Sequence, residues 1–426
     1  RSDVNVLFVL IDTLRASRLR TYGYSRPTSP FLDVLASQGV RFGRHLSQSS
    51  WTKCSMASLW TALNPARTGV TRFDHVLAQE ARLPAEIFRE AGFRTAGIWR
   101  NGWVEGYFGF DQGFEVYTRP PLFGAPSPQL RRENPTVSFG GTDFDAVRMA
   151  TEFLLVHGRQ RWFLYLHLMD VHEYTYDAKS ARFGASYGDV YDNAILHVNG
   201  VLDAMLSHLL QHGYLDKTLI VIGSDHGEAF GERGNEGHAR DVYPEVTAVP
   251  LLIAFPFRLP AGVVVRQQTA NVDVWPTVLD LLGLPALEAV DGRSRVPEIR
   301  AAIAGEVGPL QDGAEGQVIA HLDQSWGQRV ATTSPTISIR NGKFRYVQFR
   351  DVEGEIRREE LFDSSRDPLE REDRLDQERD VAASMRAHID AYLRGTTPWQ
   401  RTDRALEIDE IQLDQLRALG YGIPQR

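Results

Sequence analysis

The chain has 426 residues, 47 basic and 55 acidic, with a formal charge of −8 at pH 7. Its 42% hydrophobic and 24% charged residues exclude a disordered chain. The acidic balance argues against a dedicated nucleic-acid binder, whose surface must release counterions from phosphates. With Cys54 as the only cysteine, an internal disulfide and a cysteine zinc cage are both excluded. Residues 4–11 form an apolar run that ends in Asp12. No apolar stretch approaches the roughly 18 residues of a membrane span, so this run reads as a buried strand. Arg1 stands without a preceding methionine, which suggests a mature or trimmed chain and favours an exported or periplasmic setting. Helical patterns over 29–38, 53–63, 83–91 and 191–212 alternate with strand-like runs over 93–99, 163–168, 218–223 and 251–254. Strands this continuously apolar, alternating with helices, predict an α/β fold: a mostly parallel sheet sandwiched by helices. Five prolines between Thr118 and Thr142 mark a long loop.

The texture changes beyond about residue 310. Two alternating runs over 337–347 flank Asn341-Gly342, a strong hairpin signal, and a charged helical pattern covers 370–393. The charge-rich tract 357–379 reads as solvated surface. These features predict a large α/β domain over 1–310 and a smaller antiparallel C-terminal subdomain over 311–426.

In open parallel sheets, ligands bind beyond the carboxyl ends of the strands. Asp12 follows the first predicted strand, Arg100-Asn101 the second, Asp170-Val171-His172 the third and Ser224-Asp225-His226-Gly227-Glu228 the fourth. Any one of these is ordinarily a helix cap. Together they point to a metal-binding active site. Asp12, Asp225 and His226 offer two carboxylates and an imidazole, which suit manganese, zinc or magnesium better than calcium. His172 and His238 are candidates of a weaker kind, because a lone histidine is more often simply packed. Thr52 precedes a helix-compatible stretch, and its ordinary role there is a cap. Its sharper role is a nucleophile where orphan N–H groups would hold phosphate or sulfate and a metal would lower the hydroxyl pKa. Trp51, Trp60, Trp99 and Trp103 lie near this rim and read as core before pocket.

Taken together, these residues resemble the sulfatase family of the alkaline-phosphatase superfamily. Residues 5–15 look like its opening strand and metal-ligand aspartate, and 28–36 like its first helix. Asp170-Val171-His172 is similar to its Asp-Pro-His segment, and residues 224–228 with Gly237-His238 to its second metal cluster. Residues 360–363 with Asp367-Pro368 look like its C-terminal signature. The resemblance implies an anionic ester substrate and a metal held by Asp12, Thr52, Asp225 and His226, with Asp170 available to a second metal. It further implies that His172 and His238 contact the transferring group or protonate its leaving group, or instead help Asp170 hold a second metal, and that Arg100 clamps an anionic oxygen.

One segment departs from the pattern. Sulfatases carry Cys-x-Pro-x-Arg followed by Thr-Gly, and registering on Thr61-Ala62 puts Thr52 at the nucleophile, Cys54 at the proline and Met56 at the arginine. Formylglycine cannot arise from threonine, and Cys54, two residues out of register, reads as a buried small hydrophobe. A threonine here resembles the phosphoryl-transferring relatives and implies a Thr52 covalent intermediate on phosphate diesters or phosphonate monoesters. Two alternatives stand beside this one: an atypical sulfatase acting on sulfate esters, and a catalytically degenerate binding module.

Overall fold

A computed structural model of the chain describes residues 3–120, 141–256, 262–306, 316–329 and 332–399. In chain order the strands are β1 (Asn5–Ile11), β2 (Val40–Leu46), β3 (Arg94–Ile98), β4 (Val116–Thr118), β5 (Trp162–Leu168) and β6 (Thr218–Gly223). They continue with the short ribbon β7 (Ala229–Phe230) and β8 (Glu236–Gly237), then β9 (Leu251–Ala254) and β10 (Val263–Ala270). The large sheet has the order β10-β2-β9-β6-β1-β5-β3-β4. Only β9 runs against its neighbours, so the sheet is mostly parallel, as the sequence predicts.

The central strands are apolar throughout because both faces are covered. Along β1, Val6, Phe8 and Leu10 enter one hydrophobic cluster, while Leu7, Val9 and Ile11 enter another. In β5 the split repeats, with Phe163 and Tyr165 on the first side and Leu164, Leu166 and Leu168 on the second. The first side is covered by the helix Thr52–Thr61, every residue of which is buried. Helices Asp143–His157 and Tyr187–Gln211 cover the second. Of the proline-rich loop expected over 118–142, residues 121–140 lie outside the described residues, as do 307–315, where the division near 310 was expected.

The small sheet is an antiparallel meander of β11 (Val318–Asp323), β12 (Pro335–Asn341), β13 (Phe344–Arg350) and β14 (Ile356–Asp363). Its β12–β13 turn is the expected Asn341-Gly342, with Gly342 at φ 57°. One face packs on the helix Arg379–Leu393 through Ile337, Ile339, Leu361 and the helix residues Met385 and Ile389. Ala320, Leu322, Trp326, Val347 and Phe362 instead join the core under the large sheet. Two expectations are corrected here. The tract 357–379 begins as a strand with Leu361 and Phe362 buried, so it is not simply solvated surface. The helix expected from Glu370 starts at Arg379, because Asp367 captures the backbone N–H groups of Leu369 and Glu372, at 3.1 and 2.8 Å, in a turn that competes with helix.

Candidate active site

Three adjacent strands, β6, β1 and β5, deliver the centre of the site. Asp12 extends β1 by one residue, its N–H donating to the Leu168 carbonyl at 3.0 Å. His167 lies one residue from the end of β5 and pairs in register with Leu10. Strand alternation puts Asp12 and His167 on the face of Leu10 and Tyr165, the face covered by the Thr52–Thr61 helix. Asp225 and His226 leave β6 in a turn stitched by Ser224, whose hydroxyl accepts from Leu14 N at 2.9 Å and donates to the His226 carbonyl at 2.8 Å. Thr52 is the first residue of its helix; the capping position belongs to Trp51, so the hydroxyl is left for the site.

The contacts are short and buried. Thr52 Oγ1 lies 3.1 Å from His226 Nε2 and accepts from Asn101 Nδ2 at 3.2 Å. Asp12 Oδ2 is held by Asn101 Nδ2 at 2.7 Å and His167 Nε2 at 3.0 Å. Tyr165 Oη backs His167 from its Nδ1, at 2.8 Å. His226 Nδ1 meets the Gly227 carbonyl at 3.0 Å. A carbonyl can only accept, so Nδ1 carries a proton and Nε2 is the nitrogen whose lone pair a cation would take.

Around that lone pair two carboxylate oxygens stand open. Asp12 Oδ1 and Asp225 Oδ2 are buried and accept no hydrogen bond. They lie 3.7 and 3.4 Å from His226 Nε2. Donor atoms of Asp12, His167 and Asp225 also fall within 4.8 Å of one another. Burial raises the Asp12 carboxyl, but the His167 hydrogen bond and the surrounding imidazoles outweigh it and hold the group below the ordinary range. Asp225 shifts the other way, raised by burial and by the Asp12 charge. Two buried carboxylates in this state, open towards an imidazole lone pair, fit a divalent cation. Oxygen and imidazole donors together suit manganese, zinc or magnesium.

Arg100 and Asp170 meet in a cage of buried charges beside the centre. Arg100 is buried and turned onto acids: Nη1 donates to Asp143 Oδ1 at 2.5 Å and Asp170 Oδ1 at 2.6 Å, and Nη2 to Glu173 Oε2 at 2.7 Å. Its Nη1 and Nη2 are held by this cage, whereas its buried Nε–H has no hydrogen-bond partner. Asp170 is likewise engaged, its Oδ2 taking the Asp143 N–H at 3.4 Å and facing His197 Nε2 at 3.5 Å. His172 and His238 do reach the centre. Their ring centroids are 5.0 Å apart, and His238 is 4.5 Å from His226. Burial pushes His172 down to about 4 and holds His238 well below the usual histidine range, so both rings are neutral.

Cys54 faces away, its Sγ 3.8 Å from the His321 carbonyl, and burial pushes its thiol up to about 12. The four tryptophans are core: Trp51 stacks on Trp326 at 4.6 Å and Trp60 on Trp275 at 5.0 Å, while Trp99 and Trp103 are buried. The sequence reading did not assign His167, Asn101 or Glu228 to the site. His167 had one available signal, an imidazole inside an apolar strand, one residue from its end. Asn101 and Glu228 stand inside strand-end segments already singled out.

The sulfatase family model matches residues 4–284, and the model described as N-sulphoglucosamine sulphohydrolase, C-terminal, matches 234–394. Arylsulfatase K of Bos taurus is 23% identical, over 86% of this chain and 77% of that one. Choline-sulfatase of Rhizobium meliloti is 33% identical over 41% of this chain and 30% of its own. The phosphonate monoester hydrolase of Agrobacterium radiobacter superposes with a TM-score of 0.69 at 21% identity, covering 92% of this chain and 95% of that one. The structure of a 2-O glycosaminoglycan sulfatase superposes with a TM-score of 0.71 at 19% identity, with 92% of each chain covered.

Proposed function

This chain belongs to the sulfatase family of the alkaline-phosphatase superfamily, and on that premise we propose that it hydrolyses phosphate diesters or phosphonate monoesters through an ester formed on Thr52. The observation that carries the reading is the Thr52 hydroxyl: it heads a buried helix 3.1 Å from His226 Nε2, whereas the only thiol faces the His321 carbonyl. A plain hydroxyl suits a phosphoryl centre, because the resulting ester is cleaved by water at phosphorus. A threonine sulfate turns over less readily.

Asp12, Asp225, His226 and Thr52 would hold a divalent ion, whose chemistry there is to lower the hydroxyl pKa and neutralise the ester's charge. The chain's own residues do the rest. Asn101 steers the Thr52 oxygen while also fixing Asp12. The N–H groups of the helix's first turn lack partners within the helix and offer donors to the ester oxygens. His172 and His238, neutral and buried against the centre, are the groups that exchange protons with the leaving oxygen and the incoming water.

The test compares an aryl phosphodiester, an aryl phosphonate monoester, an aryl phosphate and an aryl sulfate with added manganese or zinc. The expected result is turnover of the diester or phosphonate that is lost in Thr52→Ala. Sulfate turnover that survives the substitution would point instead to an atypical sulfatase, and a protein binding no divalent metal to a binding module.

A further inference from the structure

Glu228 is 1% exposed beside the site, and no step described above uses its side chain. Its carboxylate lies against Nδ1 of His238, at 3.4 Å from Oε1 and 3.2 Å from Oε2. Where the carboxylate accepts this contact, Nδ1 carries the proton and Nε2, on the ring's other side, is the basic nitrogen. The Tyr174 hydroxyl lies near enough to favour the carboxylate's charged form. Tyr174 Oη in turn meets Tyr187 Oη at 2.7 Å.

This arrangement is built rather than incidental. Arg15 Nη1 donates to the Glu228 carbonyl at 3.0 Å, and the preceding Gly227 packs so tightly that a Cβ there would lie 2.3 Å from the Glu245 carbonyl oxygen. Tyr174 holds φ 51°, a left-handed conformation that costs a bulky residue energy and persists only where its surroundings impose it. The His238 ring that results stands between His172 and His226, and His226 touches the Thr52 hydroxyl.

Resting on the Thr52 reading, we infer that Glu228 is a positioning residue, which holds His238 as the Nδ1–H tautomer so that Nε2 accepts the proton of the water that cleaves the Thr52 ester. In that step the water oxygen bonds to phosphorus. The bond from phosphorus to Thr52 Oγ1 breaks, and its electron pair goes to Oγ1. The water's proton passes to His238 Nε2 and then to Oγ1, which restores the hydroxyl.

The experiment uses the full chain with manganese and bis-para-nitrophenyl phosphate. Glu228→Ala is expected to lower kcat about 100-fold and KM with it, leaving kcat/KM nearly unchanged, because only the breakdown of the ester is slowed. Its progress curve should show a burst of nitrophenolate matching the enzyme, then slow turnover as the Thr52 ester accumulates. Glu228→Gln, whose side-chain carbonyl still accepts from Nδ1–H, should recover most of that loss. Equal losses in the two variants without a burst overturn the inference, because they describe only a structural residue. Thr52→Ala tests the nucleophile separately on the same substrate. Imidazole-nitrogen NMR gives a readout that needs no turnover, with the His238 signals assigned by their disappearance in His238→Gln. An Nδ1–H tautomer in the native protein that is lost in Glu228→Ala supports the inference, and an Nε2–H tautomer in the native protein overturns it.

Discussion

His167 holds Asp12 from behind, its Nε2 at 3.0 Å from Oδ2 and its Nδ1 backed by Tyr165 at 2.8 Å. Groups that brace a metal ligand in this way set its orientation, and removing one costs about 10- to 100-fold in metal affinity. His167→Ala is therefore expected to weaken manganese binding by that factor, measured by chelator competition; native affinity in the variant would remove His167 from the site. The Arg100 cage supplies a second prediction, in pH. Burial pushes the Glu173 carboxyl from its ordinary 4.5 up to about 7, against the pull of Arg100. A carboxyl raised in this way binds its proton more tightly in the folded state. Its contribution is thus fully present below pH 4.5 and is lost as pH rises towards about 7. Glu173→Gln removes that dependence. The stability of the native chain relative to the variant should fall across this window in urea titrations, and a difference that stays flat or rises contradicts the assignment.

The helix Thr52–Thr61 ends in a conformation its sequence does not prefer. Ala62 sits at φ 56°, and its carbonyl accepts from Asp291 N and Gly292 N, both at 3.0 Å. A left-handed alanine costs about 1–2 kcal/mol, whereas the buried methyl contributes about 0.8 kcal/mol. Conformational relief outweighs the lost contact, so Ala62→Gly should stabilise the fold by about 0.5 kcal/mol, read as a higher urea midpoint at unchanged slope. A lower midpoint would mean that the methyl's packing dominates. Elements of this kind were legible to different depths. The continuous apolar runs of β1, β5, β6 and β9 announce themselves because both faces are buried. β2, with Arg41, Gly43, Arg44 and His45 among its residues, carries no such run, and the sequence reading passes over it. β14 hides its buried Leu361 and Phe362 behind the charges of residues 357–360.

The site was legible as a rim because every strand end bearing a polar residue points the same way in a parallel sheet. Which of those residues face the centre was not, since that depends on partners from elsewhere in the chain. Arg100 and Asp170 stand on that rim, and the sequence does not announce that Asp143, at the head of its helix, and Glu173, beyond β5, close a cage around Arg100. At the scale of the whole molecule, the same dependence links the two sheets. Trp326, between β11 and β12, stacks on Trp51 at 4.6 Å, and Trp51 is the residue before Thr52. Ala320, Leu322, Val347 and Phe362 enter the same core, so the small sheet completes the packing under the nucleophile's helix. Separating the sheets would expose this surface on both sides, a cost that couples their unfolding. Calorimetry should accordingly show a single transition for the full chain. Trp326→Ala should lower that transition, by about 3–5 kcal/mol in stability, without splitting it. Two resolved transitions in the native chain would mean that the small sheet folds on its own and that the Thr52 helix does not depend on it.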